Sequence, residues 1–273
     1  MTRSFTALAV LLLLALTAGC QQSEDVQLVS RTDFRCYAAT ESMRTIGHAR
    51  HKRKTGQIAR IERLLTHKLE ALDEAKLRSE MAVLRWEVAD IGRQRDCAEA
   101  YYEPGSTKLR QGFADDSGQI LIKAPKYIDY GPIERNFNEA FDKVPKRMQP
   151  HGFAERAALH MAEAALAQGR MDEAIKRAGD YLEDDPRGLY TDSLKLVLAD
   201  ALLHQGERAR AVVLYKDVGE LRIGIDAQYA RYRLSRLLDA EGQQDEAKKL
   251  FDDVVKWAER GGREAMHHVL THL

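Results

Sequence analysis

From Gln57 to Tyr102 the chain holds no proline and one glycine, Gly92, and its apolar residues fall three and four apart. Ile58, Ile61, Leu65, Leu69 and Leu72 form one run; after a step of five, Leu77, Met81, Leu84, Val88 and Ile91 resume it. This spacing predicts one long helix, or two in succession, over residues 56–103. Unbroken, the stretch would reach roughly 70 Å. Glu70, Asp73, Glu74, Lys76, Arg78 and Glu80 fill the positions between, as expected of a coiled-coil or hairpin arm. So narrow a stripe has to be covered, either by the preceding segment, Phe34 to Ile46, or by a second copy of the chain. Homo-oligomerisation through the arm is therefore one expectation.

The pattern breaks over residues 104–152. Pro104-Gly105, Gly112, Asp115-Asp116-Ser117-Gly118, Gly131-Pro132, Pro145 and Pro150 are turn punctuation, and the segment reads as a linker. Gln119 to Lys123 is the one plausible strand, in a hairpin with Arg110 to Ala114. Ile133 to Val144 reads as a short helix. Asp115 and Asp116 suit a turn better than calcium, because no further acidic or amide oxygens follow at the spacing a calcium loop requires.

Beyond residue 153 the chain repeats. Ala165 to Ala174, Leu202 to Ala211 and Leu238 to Ala247 align without gaps, each with a glycine (Gly169, Gly206, Gly242) between two helical patterns, and the glycines stand 37 and 36 residues apart. A helix, a glycine turn and a second helix carrying a small residue is the signature of a helical-hairpin solenoid. The period resembles the tetratricopeptide repeat. The family's small first-helix residue matches Ala162, Ala199 and Ser235, its second-helix alanine matches Ala174, Ala211 and Ala247, and its closing proline matches Pro186 only. Tyr215 and Phe251 stand at the family's aromatic position, where the first repeat has Ala178. The resemblance implies a mostly α fold, with three repeats and a capping helix over residues 153–273. It also implies a concave face of first helices that binds partner peptides, carried here by Arg156, Glu163, Asp200, His204, Tyr229, Tyr232, Arg236 and Asp239, with Leu159, Leu166, Ser193 and Leu196 between them.

At the other end, Ala7 to Leu16 is an apolar run behind Arg3, too short to span a bilayer, which reads as a secretory signal over residues 1–19. It ends in Leu16-Thr17-Ala18-Gly19-Cys20, which resembles the lipobox of bacterial lipoproteins. That resemblance implies lipidation at Cys20, a tether with a short helix over residues 20–55, and, with Gln21-Gln22 rather than Asp after the cysteine, an outer-membrane address facing the periplasm. An exported chain meets an oxidising compartment, where Cys36 and Cys97 are candidates for a disulfide. Two free thiols are the alternative, since an arm turning near Thr55-Gly56 sets Cys36 opposite a position near 75.

Lysine plus arginine equals aspartate plus glutamate at 42 each, so no global field favours nucleic acid. His48, Arg50, His51, Lys52, Arg53 and Lys54 form a basic cluster, read as a solvated face that could also meet lipid phosphates or an anionic polymer. His268 and His272 lie one turn apart beside His267, without an evident third metal ligand. No catalytic or nucleotide motif is present, and neither cofactor nor metal is expected. The reading is a non-catalytic adaptor lipoprotein binding periplasmic or outer-membrane proteins of envelope assembly or cell division. It resembles the Tol-Pal-associated cell-division coordinator, which joins a coiled coil to such repeats, and other repeat scaffold lipoproteins. The alternatives are a cell-wall enzyme or its accessory subunit, and a structural spacer.

Overall fold

The computed structural model describes residues 29–122, 128–143, 153–220 and 224–272. The signal, the lipobox and Lys123 of the expected strand lie outside them. The described residues are mostly α-helical, with helices α1 (Arg31–Tyr37), α2 (Ser42–Leu64), α3 (Ala71–Tyr101), α4 (Tyr130–Lys143), α5 (Phe153–Ala167), α6 (Met171–Asp184), α7 (Thr191–His204), α8 (Arg208–Gly219), α9 (Ile225–Ala240), α10 (Gln244–Arg260) and α11 (Glu264–Thr271).

Helices α5/α6, α7/α8 and α9/α10 stack as three hairpins, and α11 closes the row against α10. Each first helix ends the same way. Gly169, Gly206 and Gly242 adopt φ of 74°, 81° and 78°, where residues with a Cβ are strained. The N–H one residue later then reaches back to a carbonyl five residues upstream: Arg170 to Ala165, Glu207 to Leu202 and Gln243 to Leu238, at 2.8–3.0 Å. The same closure recurs between α10 and α11, where Arg263 bonds Ala258. This Schellman geometry satisfies carbonyls that a helix end otherwise leaves bare. Ala162, Ala199, Ala174 and Ala211 are fully buried, and Ser235 is nearly so, its hydroxyl turned to the Tyr232 carbonyl. These small side chains let paired helices approach closely.

The arm is a hairpin of two helices, and its turn lies at residues 65–70 rather than at Thr55-Gly56. Helix α2 starts fourteen residues before the expected boundary, at Ser42, and runs through Gly56. The basic run is why: lysine, arginine and alanine are strong helix formers, and one exposed glycine costs only about 1 kcal/mol. The break falls instead at Thr66-His67, where the Thr66 hydroxyl turns back onto the Arg63 carbonyl at 2.7 Å. The apolar stripe is covered from within the chain, Ile58, Ile61 and Leu65 packing on Leu77, Met81 and Leu84, so its burial needs no second copy.

The cysteines meet because the chain reverses between α1 and α2. His48 meets Glu99 at 3.2 Å and Lys54 meets Glu87 in an antiparallel α2–α3 pair, but α1 runs parallel to α3, with the Thr32 carbonyl at Arg93 and the Ala39 carbonyl at the Tyr102 hydroxyl, and this sets residue 36 beside residue 97. Cys36 and Cys97 are joined as a disulfide with Cα atoms 5.5 Å apart.

The described residues of this segment, 104–122 and 128–143, do more than link. Helix α4 packs on α3 and α5, with Ile133 and Phe137 buried against Ala82, Phe153, Ala157 and Met161. The expected hairpin is reduced to one antiparallel bridge, Ala114 to Ile120, with a second between Tyr102 and Leu109. The Asp115 carboxylate accepts from Ser117 and from the Gln119 N–H, which holds it below the ordinary carboxylate range and makes it a turn-former.

Candidate functional site

The first helices α5, α7 and α9 line up to form the inner face of the repeats, and α1 lies in it. Ser30 starts α1 by accepting from the Asp33 N–H at 3.1 Å while its hydroxyl donates to the Asp33 carboxylate at 2.7 Å. Phe34, wholly buried, points into an aromatic box, with ring centroids 5.3 Å from Tyr229, 5.7 Å from Tyr232 and 6.5 Å from Trp257. The Val29 N–H donates to the Tyr232 hydroxyl at 3.1 Å.

Charge fixes the other side of α1. Arg31 reaches Glu163 at 3.0 Å and Asp226 at 3.3 Å, and Arg35 reaches Asp226 at 3.1 Å. Burial alone pushes the Glu163 carboxyl up, but the hydrogen bond from His160, Arg31 and Arg35 outweigh it and hold it at about 2. Asp226 is likewise held far down against burial by Arg31 and Arg35. His160 stacks on Trp86 with centroids 3.8 Å apart, and burial outweighs its bond to Glu163, keeping the imidazole neutral. Two arginines from α1 and two acids from α5 and α9 thus form a mutually paired cluster. A buried charge of this kind is tolerated only with its partners in place.

Deeper in, Asp200 accepts from the hydroxyls of Tyr215 and Tyr229 and lies 3.5 Å from Arg233. Burial and the Asp200 charge push both phenols well above their usual range, so they stay protonated donors.

The eight residues expected on an open concave face therefore divide. Tyr229 and Tyr232 are at most 1 % exposed and Asp200 is 5 % exposed; with Glu163 they hold α1 or brace the core, and none of the four is free to take a partner while α1 is docked. The expectation of an open groove is corrected, because α1 fills the groove with the same kind of aromatic and arginine contacts attributed to a partner. Arg156 lies over the Tyr190 ring at 5.3 Å and Arg236 over Phe251 at 6.0 Å, both half-buried. His204 and Asp239 are exposed.

Helix α1 does not fill the whole face. Beside it a cavity of about 860 Å³ remains, walled by α1, α3, residues 128–131 and the first helices. Glu163, Asp200, His204 and Tyr229 line it; Arg156, Tyr232, Arg236 and Asp239 do not. Three lining residues missed in the sequence carry buried N–H donors with no acceptor among the described residues: Arg31 Nε, Arg93 Nε and Trp86 Nε1. The only sequence signal for α1 was the Ser30-x-x-Asp33 start; nothing marked Trp86 or Arg93 as other than arm residues.

His268 and His272 each turn a ring nitrogen to a carbonyl oxygen. His268 Nε2 lies 3.2 Å from the Gly118 carbonyl oxygen and His272 Nδ1 lies 2.7 Å from that of His268. No group of three or more candidate ligands occurs among the described residues.

A family model of the tetratricopeptide repeat matches residues 229–256, within α9 and α10. The chain contains a tetratricopeptide repeat. No curated protein matches the chain. Repeats of this family generally mediate protein–protein interaction, which is the function class the fold supports. No helix among the described residues is long and apolar enough to cross a membrane.

Proposed function

We propose that this chain is a non-catalytic adaptor of the bacterial envelope, lipidated at Cys20, held at the periplasmic side of the outer membrane, and recruiting protein partners of envelope assembly or cell division. The observation that carries the binding reading is the cavity of about 860 Å³ beside α1, walled by the first helices and lined by charged and aromatic side chains, Arg31, Trp86, Arg93, Glu163, Asp200 and His204 among them. A cleft of this size lined by arginines and carboxylates offers both donors and acceptors to the main chain of a peptide. The exposed imidazole of His204 at the rim adds a polar contact. The partner on this reading is an extended or turn segment entering beside α1, not a helix replacing it.

The test is affinity capture from envelope extract with the lipidated protein and with Trp86→Phe and His204→Glu variants that melt like the parent. A partner lost in both variants supports the cavity as the site. A partner retained by both overturns it. Palmitate labelling and membrane fractionation of the protein and of Cys20→Ser test the anchor separately, and absence of label in the parent overturns the lipoprotein reading.

A further inference from the structure

Helix α2 packs on α3 and turns the rest of its surface outward. On the α3 side its charges are matched, Lys54 with Glu87 and His48 with Glu99, and its one acid, Glu62, is taken by Arg85 at 3.0 Å. The outer side is different. At 100° per residue, Ile46, Arg50, Lys52, Arg53, Gln57, Arg60, Arg63 and Leu64 fall on an arc that contains no acid, and all eight are exposed. None of the five cations forms an ion pair with a described residue. Large apolar side chains stand at both ends of this face, Ile46 at 54 % and Leu64 at 40 % exposure, about 27 Å apart along the axis.

We propose that this outer face of α2 docks on the surface of an anionic lipid bilayer. Five unpaired cations on one side of a straight helix suit a flat layer of negative headgroups, and each is worth about a fivefold gain in partitioning. Ile46 and Leu64 would dip toward the acyl boundary, the arrangement of a helix lying in the interface plane. The proposal does not need the anchor. If Cys20 is lipidated, the nine residues from Gln21 to Val29 hold the body within about 30 Å of it, which puts this helix in range of the headgroups.

The experiment is vesicle co-sedimentation of the chain from residue 20 onward carrying Cys20→Ser, so that no acyl group contributes and failure of the lipoprotein reading cannot affect the result. Binding is expected to vesicles of mixed phosphatidylcholine and phosphatidylglycerol and not to phosphatidylcholine alone. It should fall as salt is raised to about 0.5 M, where charges more than about 4 Å apart are screened. Arg53→Glu with Arg60→Glu should weaken it at least about 25-fold, with Arg53→Gln and Arg60→Gln between, at unchanged melting temperature. Equal binding to both vesicles, no binding, or a glutamate variant that binds like the parent overturns the proposal. Binding to soluble polyphosphate without binding to vesicles assigns the face to a free polyanion and overturns it as well.

Discussion

Glu163 shows how much of the inner face depends on single ionisations. Its carboxyl sits at about 2, below an ordinary value of 4.5, because His160, Arg31 and Arg35 outweigh its burial. A folded-state value below the unfolded one means stability that is present above the unfolded value and lost as pH falls through the folded one. The difference corresponds to about 3 kcal/mol for this group alone. Asp226 shifts in the same direction and adds to the loss. His160 adds an earlier phase, since its imidazole is held neutral and the unfolded chain takes up that proton first on acidification. Unfolding free energy measured in urea should therefore begin to fall below about pH 6.5 and drop most steeply between about pH 5 and 2. Glu163→Gln should flatten the steep limb. A parent whose stability is level across that interval would show that the α1 cluster does not carry these shifts.

At the scale of elements, the disulfide ties α1 to α3 across 61 residues. By loop-closure entropy alone a bridge of that span is worth about 4 kcal/mol. Cys36→Ser with Cys97→Ser, or reduction, should lower the melting temperature by several degrees while far-UV circular dichroism stays near that of the parent. A melting curve unmoved by reductant would mean that α1 is held equally well without it. The cysteines also show what was legible in the sequence. The three repeats could be read because each is a local unit: a glycine at the turn, an alanine where helices cross, and periodicity between them all lie within some twenty residues. The arm's turn could not, because Gly56 and the basic run look like a boundary while the true break rests on Thr66 and on pairing between α2 and α3. Even with the turn set at residues 65–70 the α2–α3 register carries residue 36 past the end of α3; the pairing of Cys36 with Cys97 rests on the reversal between α1 and α2, which lays α1 parallel to α3. Helix α1 was harder still. Seven residues carry almost no periodicity, and docking them beneath α9, nearly two hundred residues away, is tertiary information with no local trace.

Across the whole molecule, α1 and α3 make the solenoid a closed body. Helix α3 runs from α5, where Trp86 stacks on His160, to α11, where the Tyr102 hydroxyl accepts from the Ala265 N–H at 3.2 Å and donates to the Ala39 carbonyl at 3.1 Å. Between those ends Arg93 donates to the Thr32 carbonyl at 2.8 Å, clamping α1 beneath α3 and over the first helices. Phe34 is the side chain by which α1 is seated in the repeats. Truncating a buried phenylalanine in a rigid core costs about 3–5 kcal/mol, but a docked segment has a second recourse: it can leave. The loss on Phe34→Ala is then capped at the cost of undocking α1, which exposes Tyr229, Tyr232 and Trp257 and leaves Asp226 and Glu163 without arginine partners. With the disulfide intact, Cys36 holds the far end of α1 against α3 and the release is confined to its first turn. With the disulfide reduced, only the backbone link to α2 at its C-terminal end tethers it. Hydrogen exchange of the α9 amides, residues 225–240, should thus be near parental in oxidised Phe34→Ala and accelerate by at least about tenfold on reduction, while reduction of the parent alone changes it little. Equal protection in all four states would show that the inner face is closed by α3 without α1, and that the cavity is bounded by a rigid wall rather than by a seated segment.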